Sequence, residues 1–307
     1  MIQLRLIANL RSGKPRRRGG ILRLLQKYAA RSRDPVISLT EGPGHATQLA
    51  REALAAGCQR VVAVGGDGTV NEVAQALIRT SAALGIVPLG SGNGLARHLG
   101  MLRGLEDALD LATSPFSRTA DIDTGTANGH PFINVMGLGL DAEASRRFNQ
   151  LPRRGFWAYA GALLAAVSSR RSERCRITFS GRVETHDIML IAVANSDQYG
   201  YDARIAPGGR VDDGLLDLVT VGPAGLPGMV HLGARLFSGA LAGHSSVRRF
   251  KSGRFLIERP APGIIHTDGE VHETGAIVEV TVLPGSLKVV VPALCKAVPH
   301  KPGAFPA

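Results

Sequence analysis

The spacing of apolar and polar positions changes character about two-fifths of the way along the chain. Up to residue 124, short apolar runs alternate with stretches of helical period. Ile2 to Asn9 is an apolar run ending in the turn Asn9-Leu10-Arg11-Ser12-Gly13. A helical stretch, Ile21 to Ala30, leads to a second run, Val36 to Leu39. Gly44-His45-Ala46 opens a helix through Ala56 that stops at Gly57, a residue able to take the left-handed backbone that ends helices. Arg60 to Val64 is a β-branched run closed by glycines, the pattern of a buried parallel strand. It enters Gly65-Gly66-Asp67-Gly68, after which Val70, Val73 and Leu77 fall on one helix face. A second copy follows: strand Leu84 to Leu89, glycine turn Gly90-Ser91-Gly92-Asn93-Gly94, and a helix from Leu95. Repeated strand–turn–helix units predict a parallel sheet with helices on both faces.

Beyond Asp123 short β-type runs dominate: Phe132 to Val135, Arg176 to Phe179, Ile188 to Val193, Leu216 to Val221, Phe255 to Ile257, Ile277 to Leu283 and Leu287 to Val291. Turn pairs such as Asp213-Gly214 and Asp268-Gly269 separate them, which predicts an antiparallel β domain. One helical interruption, Gly155 to Ser169, is expected. The tail after Pro292 holds three further prolines and reads as loose or surface-packed. The expected class is α/β plus β. Residues 1–124 form the parallel-sheet domain, with 292–307 a candidate to complete it, and residues 125–291 form the antiparallel domain.

Composition narrows the classes. Of 307 residues 44% are hydrophobic and 20% charged, which excludes a disordered chain. The glycines and prolines show no triplet period, so collagen is excluded. The longest apolar stretch, Gly155 to Val167, is about 13 residues, whereas a membrane span needs about 20. No secretory signal precedes the first strand, and Cys58, Cys175 and Cys295 form no C-x-x-C pair. A reduced cytoplasmic protein is expected.

The net charge is +11. Residues 1–33 hold ten basic side chains, among them Arg16, Arg17 and Arg18, and no acidic one. From Arg146 to Arg182 nine arginines stand against Glu173. Such clusters aim a positive field at nucleotide phosphates, nucleic acid or an anionic membrane, unless they are merely solvated faces.

Both glycine turns lie where strand C-termini meet helix N-termini, the ligand-binding edge of a parallel sheet. There, amide N–H groups and the helix dipole attract anions. Neither turn matches a P-loop or a G-x-G-x-x-G fingerprint. Locally, Thr69-Val70-Asn71-Glu72 reads as a capping box, with Thr69 the N-cap and Glu72 reaching back. Capping leaves Asp67 unexplained, because a carboxylate in a phosphate turn repels its ligand unless a cation or a proton transfer uses it. Asp268-Gly269 reads as a type I′ hairpin turn. Asp121 and Asp123 read as caps at the domain junction. Trp157 and Tyr159, flanked by Arg153, Arg154, Arg170 and Arg171, fit either a membrane-touching helix or a core helix. No histidine spacing suits zinc.

Val64-Gly-Gly-Asp-Gly-Thr-Val-Asn-Glu72 followed by Pro88-Leu-Gly-Ser-Gly-Asn93 closely resembles the diacylglycerol kinase catalytic-domain family, which includes soluble bacterial lipid kinases, sphingosine kinases and ceramide kinases. The resemblance runs nearly end to end. Asn9 with Ser12-Gly13, Thr40 with Gly44-His45-Ala46, Asn134 to Asp141, Ala206-Pro207 with Asp212 to Asp217, His266 to Glu270, and Leu283 to Val289 are similar to its further motifs, in order. It implies a phosphofructokinase-like nucleotide domain and a C-terminal β-sandwich with the active site between them. It also implies ATP- and Mg²⁺-dependent phosphorylation of a lipid hydroxyl at a membrane surface, by a cytoplasmic protein peripherally bound to anionic membrane and without a specific nucleic-acid partner. A homodimer stays open.

By the same resemblance Asn9, Thr40, Gly65, Gly66, Asp67, Gly68, Thr69, Val70, Asn71, Ser91, Gly92 and Asn93 would bind the nucleotide. Asp67, Asp268 and Glu270 would be the catalytic acids. Asp213 and the carbonyl of Leu215 would ligate a structural magnesium. Three positions depart from the family pattern: Leu10 replaces a proline, Gly94 stands where many bacterial diacylglycerol kinases have aspartate, and Arg210 falls where a third metal ligand is expected. NAD kinase shares the G-G-D-G-T loop, but its later T-P-x-G-S-T-A-Y-type stretch has no counterpart here. A non-catalytic binding relative would rest on charge alone.

Overall fold

The computed structural model describes residues 3–12, 18–30, 36–151 and 172–298, together with Gly161 and Ala166. The elements in chain order are β1 (Leu4–Ala8), α1 (Arg18–Ala29), β2 (Val36–Leu39), α2 (His45–Ala55), β3 (Arg60–Gly65), α3 (Asp67–Leu77), β4 (Ala83–Pro88), α4 (Gly94–His98) and α5 (Leu105–Thr113). They continue with β5 (Thr119–Ala127), β6 (His130–Phe132), β7 (Val135–Gly139), α6 (Leu140–Gln150), β8 (Glu173–Phe179), β9 (Arg182–Ile188), β10 (Leu190–Ala194), β11 (Gln198–Gly200), β12 (Ala203–Arg204) and β13 (Leu216–Val221). Last come α7 (Leu226–Ser238), β14 (Val247–Ser252), β15 (Arg254–Glu258), β16 (Gly263–Thr267), β17 (Glu270–Thr274) and β18 (Ile277–Val290).

The first four strands pair in parallel in the order β2-β1-β3-β4. Side chains alternate across this sheet as the strand period requires. Ile7, Val61, Ala63, Leu84 and Ile86 pack with α2 and α3, while Leu6, Val62, Val64 and Val87 pack with α1 and α5. All six residues of β3 are buried, which is why its sequence is an unbroken apolar run rather than an alternation.

The C-terminal half is a sandwich. A six-stranded sheet, β14-β13-β10-β7-β16-β17, faces β5, β6, β8, β15 and β18 across a core that includes Phe132, Met136, Ile177, Ile191, Phe255 and Val280. The second layer is not separate from the nucleotide domain. β18 pairs in parallel with β4 through Lys288 and Val289, and antiparallel with β5 and β15. One ten-stranded sheet therefore runs through both halves, and β5 crosses the expected 124/125 boundary.

Several local expectations need correction. Ile277 to Leu283 and Leu287 to Val291 are one strand, irregular between Leu283 and Leu287 where Pro284-Gly285 interrupts the register. Phe132 to Val135 is split between β6 and β7, because the amides of Ile133, Asn134 and Val135 serve an aspartate instead of a ladder. The tail is not loose as far as Val298: Cys295 and Val298 are buried in the core beside α3 and α4. The Gly155–Ser169 helix with Trp157, Tyr159, Arg153, Arg154, Arg170 and Arg171 lies outside the described residues, Gly161 and Ala166 excepted. So do Lys14, Arg16 and Arg17. Among the described residues no helix is long and apolar enough to cross a membrane, and the three cysteines are buried and free.

Candidate active site

Four strand ends build the first wall. Asn9 follows β1, Thr40 follows β2, Gly65-Gly66 close β3 and Gly90 follows β4, so the parallel register brings these residues to one edge. The Asn9 N–H donates to the Val64 carbonyl, and its side-chain oxygen accepts the Arg11 N–H at 3.0 Å, fixing the first turn. The Thr40 N–H donates to the Ala8 carbonyl.

The two glycine turns pack backbone to backbone. A Cβ on Gly90 would stand 2.7 Å from the Gly66 Cα, and one on Gly92 would stand 2.8 Å from Asp67 Oδ2. These glycines are needed for the approach of one loop to the other. Gly68 is different: nothing lies within 4 Å of the Cβ it lacks, so that side is open space. Among the described residues Asn71 Oδ1 is buried with no hydrogen-bond partner, as expected of an atom whose partner is a ligand or a water.

The capping-box reading of Thr69 and Glu72 is overturned. α3 begins three residues earlier, with Gly66 as its N-cap and no side-chain cap. Thr69 and Val70 are buried, and Thr69 packs under Gly65. Glu72 instead reaches sideways: its Oε2 accepts the Ala46 N–H at 3.0 Å, at the start of α2. The Gly44-His45-Ala46 segment is thereby tied to the glycine-loop helix.

Asp67 holds the second turn. Its Oδ2 accepts the Asn93 N–H and its Oδ1 the Gly94 N–H, both at 2.7 Å. The residue as a whole is exposed, yet its carboxylate is crowded by protein. That burial raises its pKa, while the two amides, its own N–H and the Arg97 charge oppose the rise. Asn93 adopts a left-handed backbone and donates from Nδ2 to the Gly90 carbonyl, closing the turn on itself.

A hairpin from the other half lies on this turn. Ser91 Oγ and Tyr201 Oη are 2.5 Å apart, Arg97 pairs with Asp202 at 2.7 Å, and His98 Nδ1 meets Asp197 at 2.6 Å. Tyr201 and Asp202, at the β11–β12 turn, both have positive φ. None of Tyr201, Asp202, Asp197 or Arg97 is singled out by the sequence, since the partners are remote and each pair is a common polar type.

The acidic turn supplies the second wall. Asp268 and Gly269 have φ of 49° and 89°, the left-handed pair that a type I′ turn demands. The Asp268 carboxylate is not exposed at this turn but held by backbone. Asp268 Oδ2 accepts the Ile133 N–H at 2.7 Å, and its Oδ1 accepts those of Asn134 and Val135 at 3.0 and 2.9 Å. Enclosure pushes its pKa up to about 6, against the pull of these amides and of His266. His266 in turn meets Asp141 at 3.0 Å, both buried, and Tyr199 donates to the same Asp141 oxygen. Glu270 is exposed, and its side chain makes no hydrogen bond or ion pair among the described residues.

Two residues join the walls. Asp67 binds the Gly94 amide, a Cβ on Gly94 would strike Asn134 Nδ2 at 2.7 Å, and the Asn134 amide binds Asp268. An aspartate at position 94 would collide with Asn134 and the Tyr199 carbonyl, which accounts for the glycine here.

The D-D-G loop does not fit a structural cation. Asp213 Oδ1 accepts the Leu215 N–H, and Asp213 Oδ2 holds Lys251 Nζ at 2.7 Å. Arg210 donates to Asp212. Asp123, whose pKa is raised mainly by burial, accepts the Gly214 and Gly285 amides and so pins this loop to β18. Two side-chain cations already neutralise the loop. Among the described residues no three metal-ligating side chains converge.

Comparison with known proteins agrees with the two-part fold. The diacylglycerol kinase catalytic domain family matches residues 3–126, and the YegS C-terminal NAD kinase beta sandwich-like domain family matches residues 134–291. A diacylglycerol kinase of Bacillus subtilis is 28% identical over 88% of this chain and 90% of its own. A probable lipid kinase YegS-like protein of Pseudomonas aeruginosa is 33% identical over 85% of this chain and 86% of its own. A crystal structure of a diacylglycerol kinase described as putative, from Bacillus anthracis, superposes with a TM-score of 0.77 at 24% identity, covering 95% of this chain and 97% of its own, a likeness of fold alone.

Proposed function

The chain belongs to the diacylglycerol kinase catalytic-domain family and is a lipid kinase, and on that premise we propose that it transfers the γ-phosphoryl group of MgATP to the hydroxyl of a neutral lipid of the diacylglycerol or sphingoid class, from the cytoplasmic surface of a membrane. The observation that carries this reading is the junction of two walls. A glycine-lined helix N-terminus, open at Gly68, is joined through Gly94 and Asn134 to an acidic turn.

Each residue's part follows from its bonding. The amides of Gly66 to Gly68 and the N-terminus of α3 receive the phosphates, a place where backbone dipoles favour negative charge. Asn9, Thr40 and Asn71 contact the remainder of the nucleotide. Asp67 and Asp268 are positioning residues, because every oxygen they have already accepts an amide. Glu270 is the uncommitted carboxylate and accepts the proton of the attacking lipid hydroxyl. Magnesium, which travels with the triphosphate, neutralises charge on the transferred group. Phosphoryl transfer then depends on alignment and charge neutralisation.

The test is label transfer from ATP to a panel of diacylglycerol, sphingosine, ceramide and NAD, with and without magnesium. The reading requires a phosphorylated lipid and no NADP. Label on NAD alone, or on nothing, would remove it.

A further inference from the structure

The turn between β11 and β12 carries residues that its backbone disfavours. Gln198 pairs with Arg204 and Gly200 with Ala203, which leaves Tyr201 and Asp202 as a two-residue hairpin loop. Both have positive φ, 54° and 63°, as does Gly200 before them at 124°. A loop of two left-handed residues is ordinarily Asn-Gly, and a tyrosine there is strained. Strain of this kind persists where the surrounding contacts hold it, and it gathers at functional sites.

Contacts with the second glycine turn do the holding. The Tyr201 N–H donates to the Gly92 carbonyl at 3.3 Å, and Tyr201 Oη stands 2.5 Å from Ser91 Oγ. Asp202 accepts Nη1 of Arg97, whose Nε donates to the same Gly92 carbonyl at 2.8 Å. Gly200 and Gly92 meet backbone to backbone, since a Cβ on Gly200 would stand 3.3 Å from the Gly92 Cα. Ser91 itself is exposed. It follows Gly90, which packs on Gly66, so Ser91 stands at the same rim as the amides that open α3.

We propose that Tyr201 is a positioning residue for the nucleotide: its hydroxyl donates to Ser91 Oγ and leaves the Ser91 proton to meet a phosphate oxygen of ATP. A phenol is more acidic than an alcohol, so it is the natural donor of this pair, and a serine oxygen that accepts keeps its one proton for an anion. The hairpin also reaches the other wall. Tyr199 donates to Asp141 at 2.6 Å, next to His266, and Asn134 Nδ2 donates to the Gln198 carbonyl at 2.6 Å. One short segment thus spans from the acidic turn's network to the nucleotide rim. The inference deepens the nucleotide part of the proposed function and rests on that reading.

The experiment is calorimetric titration of the full chain with MgATP, for the wild type, Tyr201→Phe, Ser91→Ala and the double variant. Tyr201→Phe keeps the ring and the turn and removes only the hydroxyl, so its melting temperature should stay within about 1 °C of wild type. Its ATP affinity should fall about fivefold, the worth of one hydrogen bond. Ser91→Ala should lose about tenfold, because its bond is to a charged group. The double variant should bind no more weakly than Ser91→Ala alone, since Tyr201 acts through that hydroxyl. In a kinase assay Tyr201→Phe should raise the KM for ATP and leave the KM for lipid unchanged. Wild-type ATP affinity in either single variant overturns the proposal. So do losses that add in the double variant, or an equal rise in both KM values. A wild type that binds no ATP overturns this inference and the function reading together. A wild type that binds ATP but phosphorylates no lipid removes only the function reading, and the four binding constants still decide this one.

Discussion

Gly68 offers the sharpest test of the nucleotide wall, because stability and binding should move in opposite directions. The perturbation is Gly68→Ala. The residue is the second of α3, and the added methyl meets no atom within 4 Å. Replacing a helical glycine by alanine removes backbone entropy from the unfolded chain and stabilises by a few tenths to about 1 kcal/mol. For a chain of this size that corresponds to a rise of up to about 3 °C in melting temperature. If the open side of Gly68 receives a phosphate, the same methyl fills the space the ligand needs, and ATP affinity falls about tenfold or more, equivalent to about 1.4 kcal/mol. Gly90→Ala is the control. Its Cβ would stand 2.7 Å from the Gly66 Cα and 2.8 Å from Asn93 Oδ1, neither of which can yield cheaply, so it should destabilise by about 1–3 kcal/mol. Calorimetric ATP titration and thermal melts of both variants give the four numbers. A Gly68→Ala protein that melts higher and binds ATP as well as wild type refutes the cradle at this position.

Three other outcomes are expected. Asp268 has its pKa raised to about 6 in the fold, so the native state takes up a proton between about pH 6 and pH 4. Its contribution is fully present below the unfolded pKa and is lost as pH rises through about 6, amounting to at most about 3 kcal/mol. Unfolding titrations across that window should show wild-type stability falling with pH more steeply than that of Asp268→Asn, and parallel curves would dismiss the enclosed carboxylate. Glu270→Gln should fold and bind ATP normally, since the side chain is exposed and unpartnered among the described residues, but lose roughly two orders of magnitude in lipid phosphorylation. A rate within about threefold of wild type would exclude it as the proton acceptor. Removing divalent ions with EDTA should leave the wild-type melting temperature within about 1 °C, because Arg210 and Lys251 already neutralise Asp212 and Asp213. Lys251→Ala should melt lower and regain stability with added magnesium, and a wild type that EDTA destabilises strongly would show that a cation does sit there.

The sequence by itself determined the parallel sheet. The β3 run, the helical spacing of Val70, Val73 and Leu77, and the glycine turns are short-range patterns, and burial on both faces leaves them no other reading. It determined the Asp268-Gly269 turn for the same reason, since two consecutive left-handed residues demand that pair. It did not reveal α7, whose Pro227, Gly228 and Gly233 read as helix breakers. The partners of the aspartates were equally hidden. Asp67 was legible as an anomaly, but the amides it holds lie 26 and 27 residues on, and those of Asp268 lie more than 130 residues back. A carboxylate looks alike in a sequence whether it faces solvent, a phosphate or a row of amides. Only the fold, by bringing remote backbone to each oxygen, decided that Asp67, Asp123 and Asp268 tie loops together while Glu270 stays exposed.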